Sequence, residues 1–137
     1  MKNILLLLIL ILSCEEPVVE IVADGYLHKM SYYVGEKAQL YINAKDDIDN
    51  CKVGIYNIDG VLEYELITSI FQQSITNVKS SELGYGYELT TEFEVPDLVS
   101  GIYLVENKIP FIIKTTEPVD AIVLYPSNTI NAYSDNG

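Results

Sequence analysis

Residues 100–114, SGIYLVENKIPFIIK, contain two short apolar runs separated by a polar break. Both runs are rich in Ile, Val, Phe and Tyr, which favour strands, and Ser100-Gly101 precedes the first of them. Glu106, Asn107 and Lys108 form the break. This stretch therefore predicts two short β-strands on either side of a turn.

Similar short runs recur upstream, with turn signals between them. Residues 52–71 alternate on either side of Asp59-Gly60, which predicts a β-hairpin. Alternation continues from Tyr87 to Val95 and stops at Pro96. No helical period persists after the N-terminal apolar run. About seven short strands at regular spacing predict an antiparallel β-sandwich.

The stretch SGIYLV, in which a tight turn leads an aromatic residue into the penultimate strand, resembles the corresponding strand of immunoglobulin-like modules. The resemblance implies that Tyr103 lies near a strand corner, with its ring packed and its hydroxyl bonded to backbone. The predicted fold class is all-β, an immunoglobulin-like antiparallel β-sandwich over residues 19–116.

The chain has the length of one domain and is strongly acidic. Its 137 residues include 20 Asp and Glu but only eight basic residues, all of them lysine, which gives a net charge of −12. Phosphate backbones and anionic lipid surfaces repel such a protein. The composition therefore argues against nucleic-acid binding.

The N-terminus has the pattern of a bacterial lipoprotein signal peptide. Lys2 gives a positive start, and Ile4 to Leu12 form an apolar run too short to span a bilayer. The following stretch, ILSC, resembles the lipobox, in which the cysteine is acylated and becomes the new N-terminus. This implies removal of residues 1–13 and attachment of acyl chains, such as palmitate, to Cys14. An ordinary secretory signal with a chance cysteine is the alternative.

Residues 14–18 are predicted to be a tether between the lipid anchor and the sandwich. The sequence Cys14-Glu15-Glu16 resembles the acidic signal that sends some Gram-negative lipoproteins to the cell surface. The predicted location is the outer membrane, with the domain facing the periplasm or the cell surface.

Isolated reactive side chains in the sandwich are predicted to be structural. His28 is the sole histidine, so a multi-histidine metal site is excluded and any His-based triad would depend on this residue. Cys51 is the only cysteine besides Cys14, so no internal disulfide is available once Cys14 carries lipid. With no cationic cluster beside it, Cys51 is predicted to fill space in a strand.

Two larger polar groups are candidate binding sites. The acidic run 46–50, with Asp46, Asp47, Asp49 and Asn50, could offer oxygen ligands to Ca²⁺. It lacks the glycine and the distal glutamate of an EF-hand loop, which favours a solvated turn. Seven tyrosines could form a sugar-stacking platform, although strand packing accounts for most of them. These are Tyr26, Tyr32, Tyr33, Tyr41, Tyr85, Tyr87 and Tyr103.

Residues 121–137, AIVLYPSNTINAYSDNG, have a different character. Glu117-Pro118 marks a boundary after the last sandwich strand, because proline disfavours continuation of a β-ladder. Ala121 to Tyr125 form a run sized for a buried strand of a parallel sheet, and Pro126 ends it. Loops after such strands carry the sites of α/β folds. Residues 117–137 are therefore predicted to begin a truncated α/β domain of catalytic type.

The order of these segments resembles the domain junction of proteins related to the large subunit of N,N-dimethylformamidase. In that family an immunoglobulin-like sandwich precedes a Rossmann-like catalytic domain, and the junction strand leads into a loop of the type P-x-N-T-x-x-A-Y. The matching residues here are Pro126, Asn128, Thr129, Ala132 and Tyr133.

Members of that family bind a single iron through tyrosine and glutamate oxygens and hydrolyse an amide. Hard oxygen donors suit a Lewis-acidic ferric ion that activates water. The resemblance implies that Tyr133 corresponds to an iron ligand in a full-length relative, whereas the present chain holds no cofactor and is inactive alone. The predicted function is a membrane-anchored accessory sandwich that packs against a following α/β domain.

Two other functions remain open. One is a complete surface-displayed module that binds a glycan or a protein, which predicts an exposed aromatic patch and a last segment that pairs into the sandwich. The other is a structural envelope lipoprotein with no ligand.

Overall fold

The computed structural model describes residues 19–77 and 85–118, and these residues form an all-β structure with no helix. The eight strands are β1 (Val22–Leu27), β2 (Ser31–Tyr33), β3 (Lys37–Ala44), β4 (Ile48–Asn57), β5 (Leu62–Ile70), β6 (Thr91–Glu94), β7 (Gly101–Val105) and β8 (Ile109–Lys114). The predicted signal peptide 1–13, the tether 14–18 with Cys14, and residues 119–137 of the predicted α/β segment lie outside the described ranges.

The strands form two sheets around one core, the arrangement of a β-sandwich. The three-stranded sheet has the order β1-β3-β6, and the five-stranded sheet has the order β2-β8-β7-β4-β5. Every pairing is antiparallel except that of β2 with β8, so the prediction of a purely antiparallel sandwich is wrong at this edge. The chain crosses from the first sheet to the second after β1, where the Met30 carbonyl accepts a bond from the Ile112 N–H (2.9 Å). Since β2 keeps the direction of β1, it meets β8 in parallel.

The core is built from side chains that alternate along the strands. In β3 the side chains of Ala38, Leu40 and Ile42 are fully buried, while their neighbours face outward. In β8 the inward residues Ile109, Phe111 and Ile113 pack against them from the other sheet. Burial of apolar side chains therefore holds the two sheets together, since Cys51 is a free thiol.

The hairpins of the five-stranded sheet are confirmed. Strands β4 and β5 pair around a turn in which Gly60 has φ +77°, and the Asn57 side chain accepts bonds from the Asp59 and Val61 N–H groups (3.0 Å each). Strands β7 and β8 pair around Glu106 and Asn107, both at positive φ, as a type I′ turn requires.

The alternation predicted from Tyr87 to Val95 is correct only in part. Strand β6 is confined to Thr91–Glu94, and Leu89 is 45% exposed. The Ile42 N–H donates to the Thr90 hydroxyl (2.8 Å), so a side chain replaces the backbone ladder at this point.

The chain enters the sandwich at one end and leaves it at the other. The entry end contains the β3–β4 and β7–β8 turns, and there the Lys45 N–H donates to the Ile21 carbonyl (2.9 Å). Strand β8 begins at that end and runs to Lys114, beyond which residues 115–118 leave. The exit end contains the β2–β3 and β4–β5 turns and the connection 96–100. The six residues of β8, at about 3.3 Å each, separate the two ends by roughly 20 Å.

Candidate functional site

A carboxylate at the entry end connects the two sheets. Glu20 lies just before β1 and forms ion pairs with Lys45, which follows β3, and with Lys108, which precedes β8 (2.6 Å). The Lys108 ammonium also donates to the Ala23 carbonyl (3.1 Å). Glu20 therefore fixes the path by which the N-terminal segment reaches the sandwich. No local sequence pattern predicts this contact, because both partners are distant from Glu20 in the chain.

The two lysines also change the acidity of Glu20. Hydrogen bonds from Lys108 and then from Lys45 lower the pKa of this carboxyl from 4.5 to about 2. A carboxyl with a lowered pKa in the folded state stabilises the fold above its unfolded pKa, and that contribution is lost as the pH falls.

This ion-pair cluster predicts an acid-dependent effect of the substitution Glu20→Gln. At pH 7 the variant should have a lower melting temperature than the natural chain, by an amount that high salt reduces. The difference should shrink as the pH falls from 4.5 and vanish near 2, because protonated Glu20 also lacks the charge. Thermal unfolding followed by circular dichroism at several pH values measures this difference. A gap that stays constant down to pH 2 would contradict the assignment.

The exit end carries an open cleft of about 430 Å³. Its walls are Tyr33 and Val34 at the end of β2, residues 97–100, and residues 114–117 where the chain leaves. The Lys114 ammonium lies 4.0 Å from the centre of the Tyr33 ring, so a cation covers one aromatic face. The cleft therefore borders the point at which the chain continues beyond the sandwich.

Apolar side chains are prominent on the surface of the exit end. Val99 is 82% exposed and Val34 is 43% exposed, both beside the cleft. At the neighbouring β4–β5 turn, Ile58 and Val61 are 68% and 55% exposed. Exposed apolar tips on adjacent loops are typical of a contact surface.

The loop that presents Val99 is held by Tyr103. The Tyr103 ring is buried in the core, and its hydroxyl donates to the Val99 carbonyl (2.8 Å). The packed ring and the backbone bond predicted for this residue are therefore confirmed. Burial, and then the charge of Glu63, raises the pKa of Tyr103, so the hydroxyl stays a donor. One wall of the cleft is thus attached to the core.

The structure brings together four of the seven tyrosines of the candidate sugar platform. Tyr26 stacks on Tyr41 on one side (4.8 Å between centroids) and on Tyr87 on the other (6.0 Å), and Tyr85 packs against Tyr87. The other three tyrosines lie elsewhere: Tyr32, Tyr33 and Tyr103. Tyr85 meets Tyr26 edge-on (6.2 Å between centroids) and lies tilted against Tyr87, so the cluster attaches the connection 85–90 to the three-stranded sheet.

A hydrogen bond fixes this tyrosine cluster. The Tyr87 hydroxyl donates to the Asp24 carboxylate (2.7 Å). Burial and the bond to Asp24 together raise the pKa of Tyr87 well above its usual range. The side chain therefore acts as a fixed neutral donor and not as an acid or base at neutral pH.

The isolated reactive residues have the following positions. His28 is exposed next to β1 and donates its backbone N–H to the Gln39 carbonyl (3.0 Å). Cys51 lies in β4, where its thiol contacts the Thr68 carbonyl (3.2 Å) and burial raises its pKa. Both therefore have structural positions in the sandwich.

The solvated turn predicted for residues 46–50 is correct only in part, because Asp46 and Asp47 connect β3 to β4 whereas Asp49 and Asn50 lie within β4. The Asp47 carboxylate accepts a bond from the Gln72 N–H (2.9 Å), which joins this turn to the end of β5. In the part of the chain that the structure describes, no three His, Cys, Asp or Glu side chains converge as metal ligands would.

The other predicted site residues lie outside the described ranges. These are the lipidation residue Cys14 and the junction loop with Pro126, Asn128, Thr129, Ala132 and Tyr133. The iron that the resemblance implies therefore has its one suggested ligand, Tyr133, outside the described residues.

Comparison of this chain with protein-family models, with curated proteins and with solved structures finds no match. Within residues 19–77 and 85–118 there is also no helix with the length and apolar character needed to cross a bilayer.

Proposed function

We propose that this chain is a lipid-anchored, immunoglobulin-like sandwich that serves as a non-catalytic spacer and packing partner for an α/β domain. The anchor is Cys14, the location is the outer membrane, and the supported domain is of the dimethylformamidase type. In this proposal the sandwich itself binds neither iron nor amide substrate.

The observation that carries the proposal is the position of the two ends. The chain enters beside Glu20, which is held by Lys45 and Lys108, and it leaves past Lys114 at the opposite end. A domain built in this way moves whatever follows it away from whatever precedes it. The apolar loops and the open cleft at the exit end then provide a surface against which a following domain can pack.

The strand arrangement supports the immunoglobulin-like part of the proposal. Immunoglobulin-like sandwiches place three or four strands against a second sheet, and their tyrosine corner is a buried tyrosine bonded to a nearby upstream carbonyl. Tyr103 makes this bond to Val99 four residues upstream. Tyr103 lies in β7, the penultimate strand, as in the immunoglobulin-like modules that SGIYLV resembles.

The two cysteines allow a matched test of the anchor. In a Gram-negative host supplied with an alkyne-labelled fatty acid, the natural chain should become labelled and fractionate with membranes. The variant Cys14→Ser should lose the label and the membrane association, because a single apolar run of this length does not anchor stably. Cys51→Ser is the control and should retain both. Label that persists in Cys14→Ser would contradict the proposal.

The proposed association with a dimethylformamidase-like domain can be tested by an activity measurement. If the reading frame continues past Gly137, the longer product, loaded with iron, should hydrolyse N,N-dimethylformamide, whereas residues 1–137 alone should not. Substituting Val99→Asp on the exit surface should reduce the soluble yield or the activity of the longer product. A stop codon directly after Gly137 would overturn the accessory-domain assignment and leave the anchored sandwich.

One observation favours the alternative of a complete protein-binding module over a glycan-binding one. Tyr26 stacks on both Tyr41 and Tyr87, so the central ring of the tyrosine cluster is occupied by its neighbours and is less suited to stacking on a sugar. The edge strand β5, in contrast, exposes apolar side chains next to a hydrogen-bonding edge that no other described strand pairs with.

A further inference from the structure

Strand β5 is the last strand of the five-stranded sheet. Among the described residues it pairs with β4 and with no strand on its other side. Its nine residues include neither proline nor lysine, so the charges on this edge are those of Glu63, which lies at a register shift, and Glu65. The outer N–H and C=O groups of β5 therefore have no ladder partner among the described residues.

Apolar side chains are concentrated along this edge. Ile67 is 72% exposed, and Leu62 and Tyr64 are 45% and 41% exposed. An edge that combines these side chains with backbone groups that no described strand pairs is suited to strand addition.

The irregularities of the β4–β5 ladder limit where another strand can pair. Register shifts lie between Ile48 and Cys51 and between Ile55 and Tyr56 of β4. Between them, β5 has a regular stretch from Tyr64 to Thr68. Leu66 lies at the centre of the stretch from Tyr64 to Thr68.

The charges of β5 fit a second copy of the same strand in this register. In antiparallel self-pairing about Leu66, residue 65 lies opposite residue 67 of the other copy, and residue 63 lies opposite residue 69. Each glutamate then faces Ile67 or Ser69. Centres at residues 63, 64 or 65 would instead place glutamate directly opposite glutamate, which is destabilising.

We propose that two copies of this chain associate through antiparallel pairing of β5 about Leu66, so that their two five-stranded sheets form one continuous sheet. The contact is isologous, because the same edge serves both copies. The two Ile67 side chains meet diagonally across the two-fold axis, where they cover each other's exposed apolar surface.

The direction of β5 determines which copies can meet. Strand β5 runs from the exit end towards the entry end, so antiparallel pairing places the two entry ends at opposite ends of the dimer. If each entry end follows a lipid anchor, the dimer joins two facing membranes. This last step rests on the proposed function, whereas the pairing itself does not.

Analytical ultracentrifugation of residues 15–137, which include every described residue, tests the pairing at concentrations from about 10 to 500 µM. The natural sequence should approach twice the mass of one chain. Ile67→Glu should weaken the dimer at least about tenfold, because the introduced carboxylate lies opposite Glu65 of the other copy, and the two-fold axis repeats this repulsion. The matched control Ile75→Glu changes another exposed isoleucine away from β5 and should leave the dimer unchanged.

A charge reversal tests the register itself. Adding Glu65→Lys to Ile67→Glu should restore part of the dimer, because the introduced ammonium at position 65 of each copy then faces the introduced carboxylate at position 67 of the other. The restoration is partial because Glu65 also loses its ion pair with Lys52 of its own chain (3.0 Å). Raising the salt should strengthen the natural dimer by screening repulsion between two acidic chains. A monomer throughout this range, or a dimer that Ile67→Glu leaves intact, would overturn the proposal.

A vesicle-clustering assay distinguishes the β5 contact from the proposed lipid anchor. Two populations of vesicles carrying the lipidated chain should cluster, and Ile67→Glu should abolish clustering. A dimer in solution without clustering would leave the β5 contact standing and contradict the anchored orientation. Clustering that Ile67→Glu does not affect would contradict the β5 contact.

Discussion

Replacing Phe111 with alanine should lower the free energy of unfolding by about 3–5 kcal/mol, the usual range for an aromatic residue removed from a core. Phe111 is fully buried in β8, and its ring packs beside Tyr103 (5.9 Å between centroids) and Tyr32 (6.4 Å). Removal of the ring leaves a cavity between the two sheets. The strands on both sides of this cavity prevent it from collapsing. A domain of this size has only about 5–15 kcal/mol in total, so the substitution should remove a large fraction of its stability.

Urea unfolding followed by tyrosine fluorescence and far-UV circular dichroism measures the loss. Phe111→Leu is the matched variant and should lose less than about 1.5 kcal/mol, because it keeps most of the volume. Tyr33→Ala, at an exposed site on the neighbouring strand, should stay within about 1 kcal/mol. A loss below about 1 kcal/mol for Phe111→Ala would show that the sheets do not pack through this ring.

The strands could be predicted because each has a simple local cause. Alternation in β3 and β8 places every second side chain in the core, and Asp59-Gly60 accommodates the backbone of a tight turn. The bond of Tyr103 to Val99 was predicted from the resemblance of SGIYLV to an immunoglobulin-like strand, and it spans only four residues. Sequence reasoning succeeds where the interacting groups are neighbours in the chain.

The features that the sequence predicted wrongly or did not predict depend on residues that are distant in the chain. The parallel pairing of β2 with β8 requires the chain to change sheets near Met30, and no local pattern marks that crossing. The grouping of Tyr26 with Tyr87 needs the connection after β5 to fold back over the other sheet. Leu89 fits an alternating pattern but is exposed, because the Thr90 hydroxyl ends the ladder.

The contacts at the two ends of the sandwich, on which the proposed function rests, could not be predicted from local sequence either. Glu20 has two lysine partners that only the completed fold brings together. The exit cleft forms from three segments, of which only residues 97–100 precede a recognisable motif. A charged sequence next to a strand therefore predicts solvent exposure, but not which distant charge it meets.

Replacing Gly25 with alanine should destabilise the sandwich by about 2–3 kcal/mol, towards the upper end for overpacking. A Cβ at this position would contact the backbone carbonyl of Tyr41 and would lie 2.6 Å from Cδ1 of Ile109. One neighbour belongs to β3 and the other to β8, so the added methyl group would separate the two sheets. Backbone on one side cannot move as a flexible side chain does.

The same substitution should uncouple the entry end. Gly25 lies two residues after Ala23, whose carbonyl accepts the bond from Lys108. Displacement of β1 would therefore move Glu20 away from Lys108. In the Gly25→Ala background, Glu20→Gln should then have a smaller effect on the melting temperature than in the natural chain. Gly101→Ala is the control, because its Cβ would meet only an ordinary contact with Tyr103 at 3.8 Å. If Gly25→Ala were as stable as Gly101→Ala, or if the effect of Glu20→Gln were the same in both backgrounds, β1 would not be positioned by this close approach.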